Sequence, residues 1–428
     1  MGKLAARASR TMLAGAIAVT LAGCGGTVTG TAIKAPLAAD DPDASVALMK
    51  TGPYPTAAGT PFGTTGDNPA RQSQIESMRL AEYTSGPWEV DQAVRDWPGF
   101  LATGQIGVQT SDNLPSAGIF TEPMIAAVRT HGYIAGFSTL RTTPQNEKQN
   151  RVLFNYVMEF PTPEAATAAA DELTAVTPPP FGAVDPAGRP ADRIDSPGAR
   201  AKVFDLPDGV TRAESFTAYG QFVFYQSAQV SDLFFGASAE NLLDALITRQ
   251  QRRIDEFKPT PPDKMASLPM DPTGNLLART LWAPDNRSPA NLGAWAPRAW
   301  LHFEADPVAT STVFAETGVS AVSQRLATIF EAKSAESAKA ITEGSTTSLS
   351  NDPMFKAVDG VPGLPRASCF ERVSGELVPP TASMTIRRVA WHFRCFAWAD
   401  RYAYTTFSDT ADDARQQMAA QYRILAGE

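Results

Sequence analysis

An internal repeat constrains the fold of this chain more than any other feature of its sequence. Segment 152–160 alternates like a β-strand and runs through Thr162-Pro163-Glu164 into an alanine-rich helix that ends near Leu173. The same pattern returns 170 residues later, where 322–330 precedes a second alanine-rich helix at 335–341. A strand–helix unit that recurs at a fixed spacing predicts one fold used twice.

Further matches extend the repeat to the end of the chain. Three pairs of segments resemble each other in the same order: 201–205 with 367–371, 222–224 with 394–396, and 235–240 with 407–412. Ser238 and Thr410 are predicted to be the N-caps of the last helix in each copy. Because the strands do not alternate regularly with helices, the pattern predicts an α+β fold made of two similar sheet-plus-helix domains.

Composition divides the chain into five segments. The stretch after residue 24 is rich in Gly, Thr, Ala and Pro and cannot bury enough apolar surface to fold alone, although residues 46–49 could dock on the body. Residues 258–263 are rich in proline and stiff. The predicted segments are a signal peptide (1–23), a flexible lipid-anchored tether (24–66), an N-terminal α+β domain (67–258, repeat core 115–258), a proline-rich linker (259–294) and a C-terminal α+β domain (295–428).

The first 24 residues have the features of a signal for an exported lipoprotein. Lys3, Arg7 and Arg10 precede the eleven-residue apolar run Met12–Ala22, which is too short to span a bilayer of about 30 Å. Leu21-Ala22-Gly23-Cys24 resembles a bacterial lipobox, in which the cysteine thiol receives a diacylglyceryl group and becomes the mature N-terminus. We therefore expect Cys24 to be lipidated. A plain signal peptide with a chance cysteine, or an uncleaved anchor, is the alternative.

The charge of the chain narrows the classes of partner. The formal net charge is −8, and removal of residues 1–23 with their three basic side chains makes it −11. An acidic protein of this kind is not expected to bind nucleic acid or to dock electrostatically on anionic lipid. Membrane attachment then depends on the acyl chains of Cys24 at the extracytoplasmic face of the cell membrane. The expected partners beyond the membrane are an envelope protein, a lipid or a glycan.

The two other cysteines, Cys369 and Cys395, are predicted to form a disulfide. An even pair in an exported chain is free to oxidise, and the repeat places both cysteines on strands, where the first copy has Val203 and Val223. The alternative is two separate buried thiols.

Motifs that carry chemistry are missing from the sequence. His131, His302 and His392 are widely separated among apolar neighbours, and no zinc-binding spacing, nucleophile elbow, phosphate loop or dinucleotide fingerprint is present. We therefore assign no catalytic residue, no metal ligand and no cofactor. Paired carboxylates of the kind that hydrolyse glycosides need no sequence signature, so a hydrolase of that type remains an alternative.

Aromatic residues crowd both copies of the repeat, and core packing accounts for most of them. Two groups stand out: Phe222, Phe224, Tyr225, Phe234 and Phe235 in the first copy, and Trp391, Phe393, Phe396, Trp398, Tyr402, Tyr404 and Phe407 in the second. A sheet face lined with such residues could instead form an apolar groove for a lipid, a glycan or another protein.

Three features together resemble a known family: the lipobox, the segment Glu82–Asp91 (EYTSGPWEVD), and the run from Ala299 to Val319. They are similar to lipoproteins of mycobacteria and nocardiae whose domain has no assigned function. The resemblance covers most of residues 45–428 and implies an actinobacterial cell envelope. It transfers no catalytic residue.

These observations favour a membrane-anchored envelope lipoprotein that binds or scaffolds something outside the membrane without catalysing a reaction. An extracytoplasmic hydrolase that uses motif-free carboxylates is the first alternative. A carrier of a hydrophobic ligand is the second.

Overall fold

Two antiparallel sheets of seven strands, each with its own helices, make up the fold in the computed structural model. The structure describes residues 44–98, 106–114, 118–144, 150–231, 238–283, 293–375, 387 and 390–427. Cys24 and the predicted signal peptide lie outside these residues. No helix among the described residues is both long enough and apolar enough to cross a membrane.

The first half of the chain builds one sheet and four helices. Its strands are β1 (Gly107–Gln109), β2 (Ala135–Thr142), β3 (Arg151–Glu159), β4 (Arg189–Pro190), β5 (Ala199–Leu206), β6 (Val210–Tyr219) and β7 (Phe222–Ser231). Its helices are α1 (Pro69–Ala81), α2 (Glu122–Thr130), α3 (Pro163–Val176) and α4 (Ala239–Ile254). In space the strands follow the order β1-β2-β3-β7-β6-β5-β4.

The second half repeats this layout. Its strands are β8 (Gly293–Trp295), β9 (Ala321–Gln324), β10 (Thr328–Glu331), β11 (Phe355–Val358), β12 (Ser368–Arg372), β13 (Phe393–Ala399) and β14 (Tyr402–Ser408). Its helices are α5 (Pro297–Leu301), α6 (Pro307–Thr317), α7 (Ala335–Ser350) and α8 (Ala411–Ala426). The spatial order β8-β9-β10-β14-β13-β12-β11 matches the first sheet strand for strand, which confirms the predicted duplication and the α+β class.

The alignment of the two copies is wrong in three places, one of which is a two-residue shift of the pair 201–205 and 367–371. Segment 322–330 is a tight hairpin of β9 and β10 rather than one strand, because the chain turns at Arg325, whose backbone N–H donates to the Ala327 carbonyl at 2.9 Å. Glu159 therefore corresponds to Glu331, at an offset of 172 residues. The match of 222–224 with 394–396 is also wrong, since β7 corresponds to β14 and not to β13.

The repeated helices begin at side-chain caps. The hydroxyls of Ser238 and Thr410 accept hydrogen bonds from the backbone N–H groups of Asn241 and Asp413, which confirms both predicted N-caps. Thr162 and Ser334 cap α3 and α7 in the same way, again 172 residues apart. Short polar residues at these positions satisfy backbone donors that the first helical turn leaves unpaired.

A shared aromatic core joins the two halves. Phe137 on β2 of the first half contacts His302 and Phe303 of the second half, with ring centroids 4.9 and 6.0 Å apart. Trp295 and Trp300 are fully buried in the same cluster. The described residues after position 35 accordingly form one compact unit rather than two separate bodies.

A fully buried arginine lies at the centre of this contact. Arg141 on β2 donates through Nη2 to the carbonyls of His302 and Glu304, at 2.8 and 2.9 Å, just beyond the C-terminal end of α5. Its guanidinium also stacks on Trp97, 4.2 Å from the ring centroid. A cation is favoured at the negative end of a helix and on an aromatic face, so these groups compensate for the loss of water around the charge.

The histidine beside this arginine is structural. Burial and the Arg141 charge lower the pKa of His302 to about 3, so its imidazole is neutral at physiological pH. Its Nε2 lies 3.2 Å from the carbonyl of Thr84, which fixes the ring between the halves.

The second part of the predicted tether packs against the body instead of extending from it. The Tyr54 hydroxyl donates to Asp413 Oδ1 at 2.6 Å, and the Ser45 N–H donates to the Gly363 carbonyl at 2.7 Å. Met49 is buried. The predicted linker behaves likewise, since Leu276 and its neighbours are buried after a 3-10 helix at Pro262–Ser267. Apolar residues in these segments are buried against the body, a contact that composition alone does not predict.

The disulfide between Cys369 and Cys395 joins neighbouring strands. The two cysteines face each other in the β12–β13 register, and their Cα atoms are 4.1 Å apart. When the β6–β7 hairpin is aligned with the β13–β14 hairpin, the two cysteines correspond to Ala201 and Ser215 of the first half. They do not correspond to Val203 and Val223.

Replacement of both cysteines by their first-half counterparts, Cys369→Ala with Cys395→Ser, is expected to lower the free energy of unfolding by about 3 kcal/mol, because the unfolded chain regains the freedom that the bridge removed. Urea unfolding of the body measures this loss. A reductant should lower the midpoint of the wild type and leave that of the double variant unchanged. Equal midpoints for oxidised and reduced wild type would contradict the prediction.

Candidate functional site

A cleft opens in the second half between the sheet and helices α6 and α7. Its volume is about 420 Å³, within the range of about 300 to 1,000 Å³ that is common for small-molecule sites. Aromatic residues are prominent in its lining, among them Phe303, Phe314, Phe330, Phe355, Trp391 and Phe396. Such a lining suits an apolar ligand.

Two small residues on β14 leave room for the cleft. Thr405 and Ala403 correspond to Tyr225 and Val223 of the first half. In the first half, Tyr225 fills the space between sheet and helices, stacked on Phe216 with ring centroids 4.4 Å apart. The second half keeps the matching phenylalanine, Phe396, but has no ring opposite it on β14.

Helix α7 contributes a wall with small side chains. Its buried residues lie in the first half of the helix, between Ser337 and Thr342. Farther along, the cleft is lined by the small residues Gly344, Ser345 and Ser348, and then by Leu349. The space under this part of the helix therefore stays open.

Two arginines line the cleft on the β12–β13 side. Arg372 lies against Phe355 and Trp391, with its guanidinium carbon 5.1 and 5.6 Å from the ring centroids. Arg394 donates through Nε to Thr405 Oγ1 at 2.8 Å. Burial lowers the pKa of Arg372, although the guanidinium stays charged at physiological pH. The cleft thus combines apolar walls with a cationic side.

The carboxylates that line the cleft already have partners. Asp306 caps α6 by accepting from the N–H groups of Val308 and Ala309, each at 3.0 Å. Glu304 accepts a hydrogen bond from the indole N–H of Trp300. Both acids are therefore committed to the fold, which does not favour the paired-carboxylate hydrolase.

One carboxylic acid elsewhere has a strongly shifted pKa. Burial, with the nearby Glu76 charge, raises the pKa of Glu159 to about 8. Its Oε1 accepts from Gln221 Nε2 at 3.2 Å, and the residue is only 1% exposed. Since no substrate can reach it, we interpret Glu159 as a packed acid that is protonated at neutral pH rather than as a catalytic group.

The structure distributes the predicted site residues over separate places. The disulfide lies on the α8 face of the second sheet, opposite the cleft. His131 pairs with Glu172 at 2.7 Å, and His392 lies 3.6 Å from Glu371. Within the described residues no cluster of His, Cys, Asp and Glu could hold a metal ion.

The aromatic residues predicted for a sheet face divide between its two sides. Trp391 and Phe396 line the cleft, whereas Tyr402 packs on the α8 side. Sequence reasoning missed Arg372 and Arg394. The signal that could have found the site is the small pair Ala403 and Thr405, which a correct alignment of the copies places opposite Val223 and Tyr225.

Comparisons with known proteins identify domains without an assigned activity. The model described as "Domain of unknown function (DUF7373) N-terminal" matches residues 63–270, and the corresponding C-terminal model matches residues 276–428. The extracellular domain of PknH from Mycobacterium tuberculosis is similar at 13% identity and a TM-score of 0.26, over 42% of this chain and 97% of that one. A score this low supports no comparison of the folds. No curated protein matches the chain.

Glu159→Gln is expected to flatten the pH dependence of stability. The native acid keeps its proton up to about pH 8, whereas the unfolded chain releases it near 4.5. This group therefore contributes its full stability below the lower value, and the contribution is lost as the pH rises towards 8. Between those values the stability of the variant relative to the wild type should rise by about 1.4 kcal/mol for each pH unit.

Urea unfolding at several pH values measures the effect. Glu316→Gln, which changes an exposed glutamate on α6, is the matched control and should follow the wild type. A parallel pH profile for Glu159→Gln and the wild type would show that Glu159 is ionised in the native state.

Proposed function

This chain belongs to the family defined by the N-terminal and C-terminal DUF7373 domains, and we propose that it is a lipid-anchored binding protein of the cell envelope that holds an apolar ligand in the cleft of its second half. It performs no catalysis in this role. The observation that carries the proposal is the open aromatic cleft at the place where the first half is filled by Tyr225.

Two features support a place outside the cytoplasm. The lipobox-like sequence before Cys24 is typical of exported lipoproteins. The Cys369–Cys395 disulfide is typical of oxidising compartments. With residues from 44 onward packed on the body, residues 25–43 are the segment left to act as the tether.

The chemistry of the cleft supports binding over hydrolysis. Both carboxylates at its wall are committed to the fold, through the α6 cap and the Trp300 indole. Binding is favourable because an apolar ligand displaces water from the aromatic rings. A carrier or sensor of an apolar compound needs no more than this.

Cys24→Ser is expected to abolish membrane attachment in the native host, because the thioether-linked acyl chains have no other acceptor. Metabolic labelling with a radioactive fatty acid should mark the wild type and not the variant. Cell fractionation should move the variant out of the membrane fraction. A labelled or membrane-bound Cys24→Ser protein would contradict lipidation at this residue.

Thr405→Tyr is expected to close the cleft, because the new ring can stack on Phe396 as Tyr225 stacks on Phe216 in the first half. A neutral apolar fluorescent probe should bind residues 36–428, which are one compact unit, and the variant should bind it at least about tenfold more weakly. Fluorescence titration measures both affinities.

Thr405→Val is the matched control for the lost hydroxyl, since it keeps the open volume. It should bind the probe within about threefold of the wild type. Thermal unfolding checks that all three proteins are folded. A wild type that binds no apolar probe, or a Thr405→Tyr variant that binds it unchanged, would refute the proposed site.

A further inference from the structure

The cationic side of the cleft points to the chemistry of the ligand. Arg372 uses its Nε to donate to the carbonyl of Trp391 at 3.0 Å. Its charged head lies beside the stacked rings of Phe355 and Trp391, and no carboxylate of the described residues lies within 4.0 Å of it. The nearest acid that affects its pKa is Asp352, which accepts from the Met354 N–H. The two terminal nitrogens of Arg372 remain suitable for an anion.

Arg394 lies on the same sheet face as Arg372. Arg394 pairs with Phe370 in the β12–β13 register, and Arg372 lies two residues farther along β12. Residues placed diagonally in this way have Cβ atoms roughly 7 to 8 Å apart. Both arginines line the cleft, so their charges act on the same ligand volume.

The first half neutralises the corresponding place internally. Glu214 stands where the second half has Arg394, and its carboxylate pairs with Arg212 at 3.1 Å. Phe204 stands where the second half has Arg372. At these two positions the second half therefore has arginines in place of the ring of Phe204 and the acid of Glu214.

The volume of the cleft limits the apolar part of the ligand. At about 30 Å³ for a water-sized group, 420 Å³ holds about fourteen such groups, which is room for one acyl chain. In strand order, the arginines on β12 and β13 lie on one side of the central strand β14, and Phe330 on β10 lies on its other side. A ligand with one charged end fits this arrangement.

We propose that the ligand is a long-chain fatty acid whose alkyl chain lies among the aromatic rings and whose carboxylate pairs with Arg372. This inference rests on the proposed binding function. A carboxylate can accept two parallel hydrogen bonds from a guanidinium, which adds orientation to the attraction between the charges.

Displacement of a neutral apolar fluorescent probe from residues 36–428 tests the proposal. Dodecanoate and dodecanol share a chain and differ in charge at about pH 7. The wild type should bind dodecanoate at least about tenfold more tightly than dodecanol. Arg372→Gln should remove most of that preference.

Two further variants test whether the affinity depends on the charge at the cleft or on any positive charge of the protein. Lys356→Gln removes an exposed cation of β11, whose register partner is Glu371 rather than Arg372, and should leave both affinities within about twofold. Arg372→Lys keeps the charge and should retain part of the preference for dodecanoate. Thermal unfolding confirms that each variant is folded.

The outcomes distinguish the two proposals. Equal affinity for dodecanoate and dodecanol, or a preference that survives Arg372→Gln, overturns the fatty-acid assignment and leaves the apolar site intact. Tighter binding of dodecyl phosphate than of dodecanoate overturns the carboxylate in favour of a phosphate. Failure of every apolar probe to bind overturns the proposed function itself.

Discussion

The burial of Arg141 between the two halves is the interaction on which the rest of the structure depends. Its guanidinium ties β2 of the first half to the carbonyls that follow α5 in the second. The next residues turn at Asp306 into α6, which is one wall of the cleft. A buried guanidinium without partners would be strongly unfavourable. The hydrogen bonds of Arg141 therefore hold the segment after α5 against the first half.

Duplication supplied two copies of one layout, and divergence gave them different interiors. In the first half, polar groups are satisfied internally, as in the Arg212–Glu214 pair, and Tyr225 completes the packing. In the second half, Thr405 and Arg394 occupy the matching positions of Tyr225 and Glu214. The first half therefore has a filled interior, and the second half contains the open cleft.

The first described segment of the chain packs against the second half of the body. Residues from Ser45 onward lie along the second half before the chain enters α1 of the first. The hydrogen bond between Tyr54 and Asp413 holds this segment to α8.

The sequence by itself determined the α+β class, the duplication, the N-caps at Ser238 and Thr410 and the Cys369–Cys395 pair, because these depend on local patterns and on cysteine number. It could not determine the register of the copies, since the turn at Arg325 interrupts an apolar run that reads like a single strand. Only the tertiary structure decided that segment 44–66 packs on the body and that a cleft lies above Thr405. Whether a small residue leaves a void depends on the atoms across from it, and those come from distant parts of the chain.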